Sequence, residues 1–276
     1  DIIKNNSTWM SFLISLGITL SAGITLILST RDEINKKLIM QDAFLLTTLS
    51  WIFVCLFGSL PFYLSDLNFT LTDSIFESMS GVTTTGSSII QNVEIMPEGI
   101  LVWRALLQWI GGVGIIVMAI SVLPALKVGG MQVFRTESSD TAEKILPKTT
   151  QIASAVIIIY LVLTLLCLIF YWLFGMNFFD ALIHSMTTIA TGGFSTKNES
   201  LAAFNINSLE YVSCLFMILS SLPILIYLEV GKGHFKKIVN DTQIMTFIYI
   251  IMIMISFFLI FDQSFYSFWE LLIMPI

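Results

Sequence analysis

The sequence predicts an all-α integral membrane protein assembled from repeated units of long helix, short re-entrant helix, loop and long helix. Three observations carry this. Hydrophobic residues make up 56% of the 276 and charged residues only 12%, about half the charged share of an ordinary soluble domain, so the chain's solvent is lipid. Six apolar runs approach or exceed the roughly 20 residues that cross a hydrocarbon core of about 30 Å. One stretch of chain recurs at a fixed offset, which is visible without any relative to compare.

The runs are Trp9 to Leu28, Ala43 to Leu64, Ile100 to Leu126, Ile152 to Phe174, Ser208 to Leu228 and Ile244 to Phe261. The first lacks a small-residue cleavage pattern and is read as a span rather than a signal peptide. Helices are the expected form, because lipid leaves backbone groups to be satisfied within their own segment and the alternation of a barrel strand is absent. Two further segments, Thr72 to Val82 and Phe178 to Ile189, are helices of about 18 Å, too short to cross. They can only enter and turn back. Asp73 and Asp180 sit near their starts, where a carboxylate suits the positive end of a helix dipole.

Placing Gly86 on Gly193 gives an offset of 107, and the same ungapped offset puts Asp73 on Asp180, Ser78 on Ser185, Met79 on Met186, Thr84 on Thr191 and Ser88 on Ser195. Each copy ends in a Thr/Gly stretch, VTTTGSS or IATGGFS. Non-helical backbone at membrane depth is tolerated only where protein buries it or water lines it, so these stretches are expected to face a pore. There carbonyl oxygens can replace the water around a dehydrated cation, while glycine gives backbone angles that a side chain would obstruct. The negative ends of the two short helices favour the same cation.

Charge orients the chain. If Arg31, Lys36 and Lys37 are cytoplasmic, alternating spans put Lys127, Arg135, Lys144, Lys148, Lys232, Lys236 and Lys237 there too, ten of the thirteen basic residues, as the positive-inside rule prefers. Both Thr/Gly stretches then face outward in a multi-pass protein of the cell membrane. The net charge of −6 says little about nucleic acid beyond leaving no basic stripe to bind it, so no nucleic acid is expected as partner, and no GxxxxGK[ST] phosphate loop is present. Cys55, Cys167 and Cys214 lie in apolar runs without metal-ligand spacing and are read as small core residues. Gly111 to Gly114, GGVG, sits inside a span with no strand before it and is read as a close helix contact, not a dinucleotide loop. His184 takes the repeat position of Glu77, and both are expected to hydrogen-bond around the outer vestibule. Ser185 beside it lacks an acid partner or nucleophile elbow, so no hydrolase is read. Arg104, at the outer end of a span, is expected to reach headgroups or to pair with an acid such as Glu98. Glu229 and Asp241 border GKGHFKK, read as a solvated turn.

The lines TDSIFESMSGVTTTGSS, WRALLQWIGGVGIIVMAISVLPALKVGGMQVFRTE and FDALIHSMTTIATGGFST resemble the TrkH/KtrB/HKT superfamily of potassium transporters, from about Lys36 to Asp262. The resemblance implies a pseudo-fourfold, channel-like transporter of four helix, pore helix, filter, helix repeats around one ion path. It makes Gly86 and Gly193 the filter glycines, and gives potassium ligands from the backbone of Thr83, Thr84, Thr85 and Gly86 with Ala190, Thr191, Gly192 and Gly193. A serine at the first filter glycine goes with sodium in the plant branch, so Gly86 points to potassium as the transported ion, with no cofactor and no enzyme activity. Partners implied are membrane lipid, a second copy in a homodimer and a cytoplasmic nucleotide-binding regulatory subunit. On this frame residues 1–37 hold an N-terminal span and loop, 38–149 the first repeat with filter 83–88, 150–240 the second with filter 190–195, and 241–276 the first helix and truncated pore helix of a third. Two filters where the family has four, and no later gating elements, give the alternative of a non-conducting fragment that needs the missing repeats or serves as an assembly partner.

Overall fold

The structure, a computed structural model, describes residues 8–30, 40–126, 149–231, 233–234 and 240–273. The ten basic residues that set the expected orientation lie outside them. Nine α-helices are described: α1 Thr8–Ser29, α2 Met40–Tyr63, α3 Leu71–Val82, α4 Glu98–Leu126, α5 Thr149–Leu173, α6 Phe178–Ile189, α7 Asn207–Ser221, α8 Ile224–Gly231 and α9 Thr242–Ile273. They fall into two compact units, Asp1–Ser221 and Leu222–Ile276.

The first unit holds both repeats. Many large apolar residues are exposed while polar ones are buried beside an apolar core, the pattern of a chain solvated by lipid. On α1, Thr8, Ser11 and Ser15 are buried while Leu13, Leu16, Leu20, Ile24 and Leu28 are exposed. Ser11 Oγ donates to the Leu64 carbonyl at 2.8 Å, tying α1 to the end of α2. Three stretches, Thr8–Ser29, Phe44–Tyr63 and Ala153–Leu173, are long and apolar enough to cross a membrane among the residues described.

Both short helices form where the sequence places them, and their ends obey the same offset. Thr70 and Asp73 make a reciprocal capping box on α3. Asn177 and Asp180, each 107 residues on, cap α6 through Asn177 Oδ1, which accepts from the Asp180 N–H at 2.8 Å. A left-handed residue precedes each cap, Asn68 at φ 57° and Gly175 at φ 111°, again 107 apart. Such caps satisfy the first orphan N–H groups and fix where each helix begins.

Each short helix runs back along the long helix before it and packs on the long helix after it, α3 between α2 and α4, α6 between α5 and α7. Ser78 Oγ donates to the Cys55 carbonyl at 2.8 Å, so seven residues down α3 lies level with eight residues back up α2. Helix α4 joins the copies, packing against α3, α5 and α6. Gly111, thirteen residues or about 20 Å along α4, lies against the Val82 carbonyl, where any Cβ would collide; a Cβ on Gly112 would lie 3.2 Å from the Ala190 Cα. The GGVG glycines are thus a shared seat, one residue for the end of each short helix. Both helices therefore stop at the same level, deep along α4.

Three expectations are corrected. The run Ser208 to Leu228 is not one helix: α7 stops at Ser221 and α8 begins at Ile224, because Pro223 lacks an N–H and its ring clashes with the preceding turn. The line SFWELLIMPI after Asp262, expected to begin a third pore helix, continues α9 unbroken as far as Ile273, since no glycine or proline between Thr242 and Ile273 stops a helix there. Cys55 and Cys167 are buried, but Cys214 is exposed on α7. In the second unit Asp241 Oδ1 caps α9 by accepting from the N–H groups of Gln243 and Ile244, and Glu229 contacts exposed His234 at 3.1 Å.

Candidate functional site

Where α3 ends, Thr83 still caps it by donating to the Met79 carbonyl, but Thr84 then takes φ 54° and Gly86 φ 78°. Where α6 ends, Ala190 caps it with φ −72°, Thr191 takes φ 53° and Gly193 φ 80°. A left-handed threonine is unfavourable by about 1–2 kcal/mol and persists only where surroundings over-determine it. Its appearance at matched positions of both copies makes this conformation part of the repeat.

The turn strips carbonyls of partners. Thr85 N and Gly86 N both reach back to the Ser80 carbonyl and Thr84 N to that of Gly81. Among the described residues no hydrogen bond reaches the carbonyl oxygens of Val82, Thr83, Thr84, Thr85 or Gly86. The same holds for Ile189, Thr191 and Gly193 in the second copy. Bare acceptors are costly unless something else bonds them. The Ala190 carbonyl accepts from the neighbouring Thr191 hydroxyl at 2.7 Å. The Gly192 carbonyl accepts from Gln108 Nε2 at 2.9 Å, leaving its second lone pair.

The two loops meet. A Cβ built on Gly86 would run into the Gly192 carbonyl oxygen, whereas one on Gly193 would meet nothing within 4 Å. The two loops thus approach each other at Gly86 and Gly192, with Gly193 bordering open space.

Behind the loops the same strut recurs in two chemistries. Buried Glu77 accepts from Ser88 Oγ at 3.0 Å and from the Ile89 N–H at 3.2 Å. At the matched position buried His184 contacts the Asp180 carbonyl through Nδ1 and Ser195 Oγ through Nε2, at 2.8 and 3.0 Å. A carbonyl only accepts, so in the neutral ring Nδ1–H donates and Nε2 accepts from the serine hydroxyl. Asp180 is likewise held, its Oδ1 accepting from Thr196 Oγ1 at 2.6 Å.

Arg104 departs from its expected place. It is nearly two turns inside α4 and 2% exposed, its Nε 2.7 Å from Glu77 Oε1. Its remaining nitrogens donate to Ser88 Oγ at 2.9 Å and to the Ser195 carbonyl at 3.4 Å, and the guanidinium lies 4.0 Å over the Phe194 ring. A charge this deep needs a paired acid, and Glu77 supplies it. The headgroup reading is therefore wrong, and Arg104 ties the back of one loop to the back of the other. One sign was in the sequence: an ionisable residue in an apolar span faces the bundle interior by default. Gln108, one turn further on the same face, is fully buried and equally engaged; an uncharged residue outside the repeated stretch, it carries no signal in the sequence.

Residues 10–270 match the family described as TrkH, cation transport protein. The Trk system potassium uptake protein TrkI of Halomonas elongata is 39% identical over 256 residues, 92% of this chain and 52% of that protein. The Trk system potassium uptake protein TrkH of Escherichia coli is 35% identical over 86% of this chain and 50% of its own length. The crystal structure of the potassium transporter TrkH from Vibrio parahaemolyticus superposes with a TM-score of 0.79 at 32% identity, covering 90% of this chain and 51% of that one. The chain spans about half the length of the curated relatives it matches.

Proposed function

The chain belongs to the TrkH family of cation transport proteins, and from that membership we propose that it carries potassium across the membrane on backbone oxygens at Thr83 to Gly86 and Ala190 to Gly193. The observation behind this reading is the pair of left-handed turns at Thr84 and Gly86 and at Thr191 and Gly193, which leaves unbonded carbonyls clustered at the negative ends of two half-length helices. Oxygens so placed are prepared to replace the hydration of an alkali cation, and the helix ends add favourable negative potential.

The chain is a membrane protein with all-α architecture. On this proposal the filters face outward and the basic loops face the cytoplasm, following the positive-inside rule. A homodimer and a cytoplasmic nucleotide-binding regulatory subunit are the proposed partners, and potassium is the cargo rather than a resident cofactor.

Purified protein in liposomes, loaded with rubidium tracer, tests the reading. Selective uptake that potassium competes and sodium does not is the expected result; flux without discrimination contradicts it, and no flux at all favours the non-conducting alternative. Gly193→Ala sharpens the test. Its φ of 80° makes alanine unfavourable by about 1–2 kcal/mol, yet the added methyl points into open space. The variant is expected to reach the membrane and to lose most of its selective flux, whereas wild-type flux and discrimination would remove Gly193 from the ion path.

A further inference from the structure

We propose that Gln108 is a positioning residue for the second loop: its amide holds the Gly192 to Phe194 backbone open against collapse onto a smaller ion and so sets ion discrimination. This rests on reading the two loops as the ion filter.

Gln108 is fully buried on α4, and both ends of its amide are used. Nε2 donates to the Gly192 carbonyl at 2.9 Å and Oε1 accepts from the Phe194 N–H at 3.2 Å. The two bonds straddle Gly193, the residue at φ 80° whose missing side chain borders open space. A rigid span thus grips the loop on either side of its left-handed turn.

The glycine at 192 supports the same conclusion. Its φ is not among the positive ones, so backbone torsion does not demand glycine there. Its Cβ would instead overlap the Gln108 amide, so residue 192 is glycine to admit the clamp. In the first copy the matched residue is Thr85, which keeps a side chain and contacts Thr83 Oγ1 through its own hydroxyl at 2.8 Å. The position matched to Gln108 is Leu215, which is exposed. Arg104 of α4 reaches the back of both loops, whereas the Gln108 amide grips the second loop at its turn.

Arg104 completes the grip one turn earlier, its guanidinium over the ring of Phe194. Coordinating sodium in place of potassium requires the carbonyl oxygens to draw closer. A backbone fastened at residues 192 and 194 to a packed helix resists that movement, and one released from it does not.

The experiment compares Gln108→Met with Trp103→Phe in the protein produced in cells lacking other potassium uptake. Methionine keeps the length and volume of glutamine but neither donates nor accepts as an amide does. Trp103→Phe removes a different hydrogen bond from the same helix, Nε1 to the Gly58 carbonyl at 2.9 Å, away from the second loop. Uptake of potassium and of sodium is measured against concentration and normalised to protein in the membrane. Gln108→Met removes both amide hydrogen bonds and is expected to narrow the ratio of half-saturating sodium to half-saturating potassium by about tenfold, with maximal rate per molecule changed by no more than about threefold. Trp103→Phe is expected to lower abundance and leave that ratio alone. If the wild type is selective and Gln108→Met changes only abundance, as Trp103→Phe does, the positioning role is overturned and the filter reading stands. If the wild type itself shows no preference for potassium, the filter reading fails and takes this proposal with it.

Discussion

Gly86→Ala is expected to abolish selective potassium uptake and to reduce the amount of folded protein, a larger effect than the same change at Gly193. Two costs add at Gly86. Its φ of 78° is unfavourable for alanine by about 1–2 kcal/mol. Its new methyl would also overlap the Gly192 carbonyl oxygen, a backbone atom that Gln108 holds in place, and overpacking of this kind typically costs a further 1–3 kcal/mol or so. The loops must part or one must unwind, and either outcome disperses the oxygens. Thermal unfolding in detergent and rubidium uptake, measured on both glycine variants, check the ranking. A Gly86→Ala protein that melts and transports like the wild type would mean that the two loops do not approach as described.

Glu77→Ala is expected to be the most destabilising single change in the first unit. The substitution leaves the Arg104 guanidinium, 2% exposed, without its counter-charge, and removing one partner of a buried ion pair typically costs about 3–5 kcal/mol. The Ile89 N–H and the Ser88 hydroxyl lose their acceptor as well. An intact pair of this kind need not stabilise the fold more than apolar residues would; the penalty comes from orphaning the charge. Adding Arg104→Ala to Glu77→Ala should therefore restore part of the loss, a coupling that a double-mutant cycle of melting temperatures and membrane abundance measures. Equal losses in the single and double variants, or none in Glu77→Ala, would contradict the pairing.

Much of this architecture is legible in the residues because it is local or repeated. Apolar run length locates the first four long helices to within a few residues. The offset of 107 locates both short helices and both loops, and it extends in the structure to the caps at Thr70 and Asn177 and to the left-handed residues Asn68 and Gly175. What the pattern does not carry is the partner of a side chain far along the chain. Arg104 meets Glu77 from 27 positions away and Gln108 meets Gly192 from 84, and nothing in a helical period specifies such pairs. The repeat misleads here too, because α4 serves both copies while its counterpart positions on α7, Tyr211 and Leu215, are exposed. Spans fail for a different reason. Hydropathy averages over Pro223, whose effect is on backbone geometry, and so joins two helices that the proline separates.

The most direct test is to locate the ion itself. Crystals or frozen grids of the protein prepared in thallium or rubidium, heavy stand-ins for potassium, should show an ion among the carbonyl oxygens of Thr83 to Gly86 and Ala190 to Gly193, displaced by potassium and not by sodium. Density at those oxygens that ignores potassium, or ions bound only elsewhere on the protein, would contradict the account.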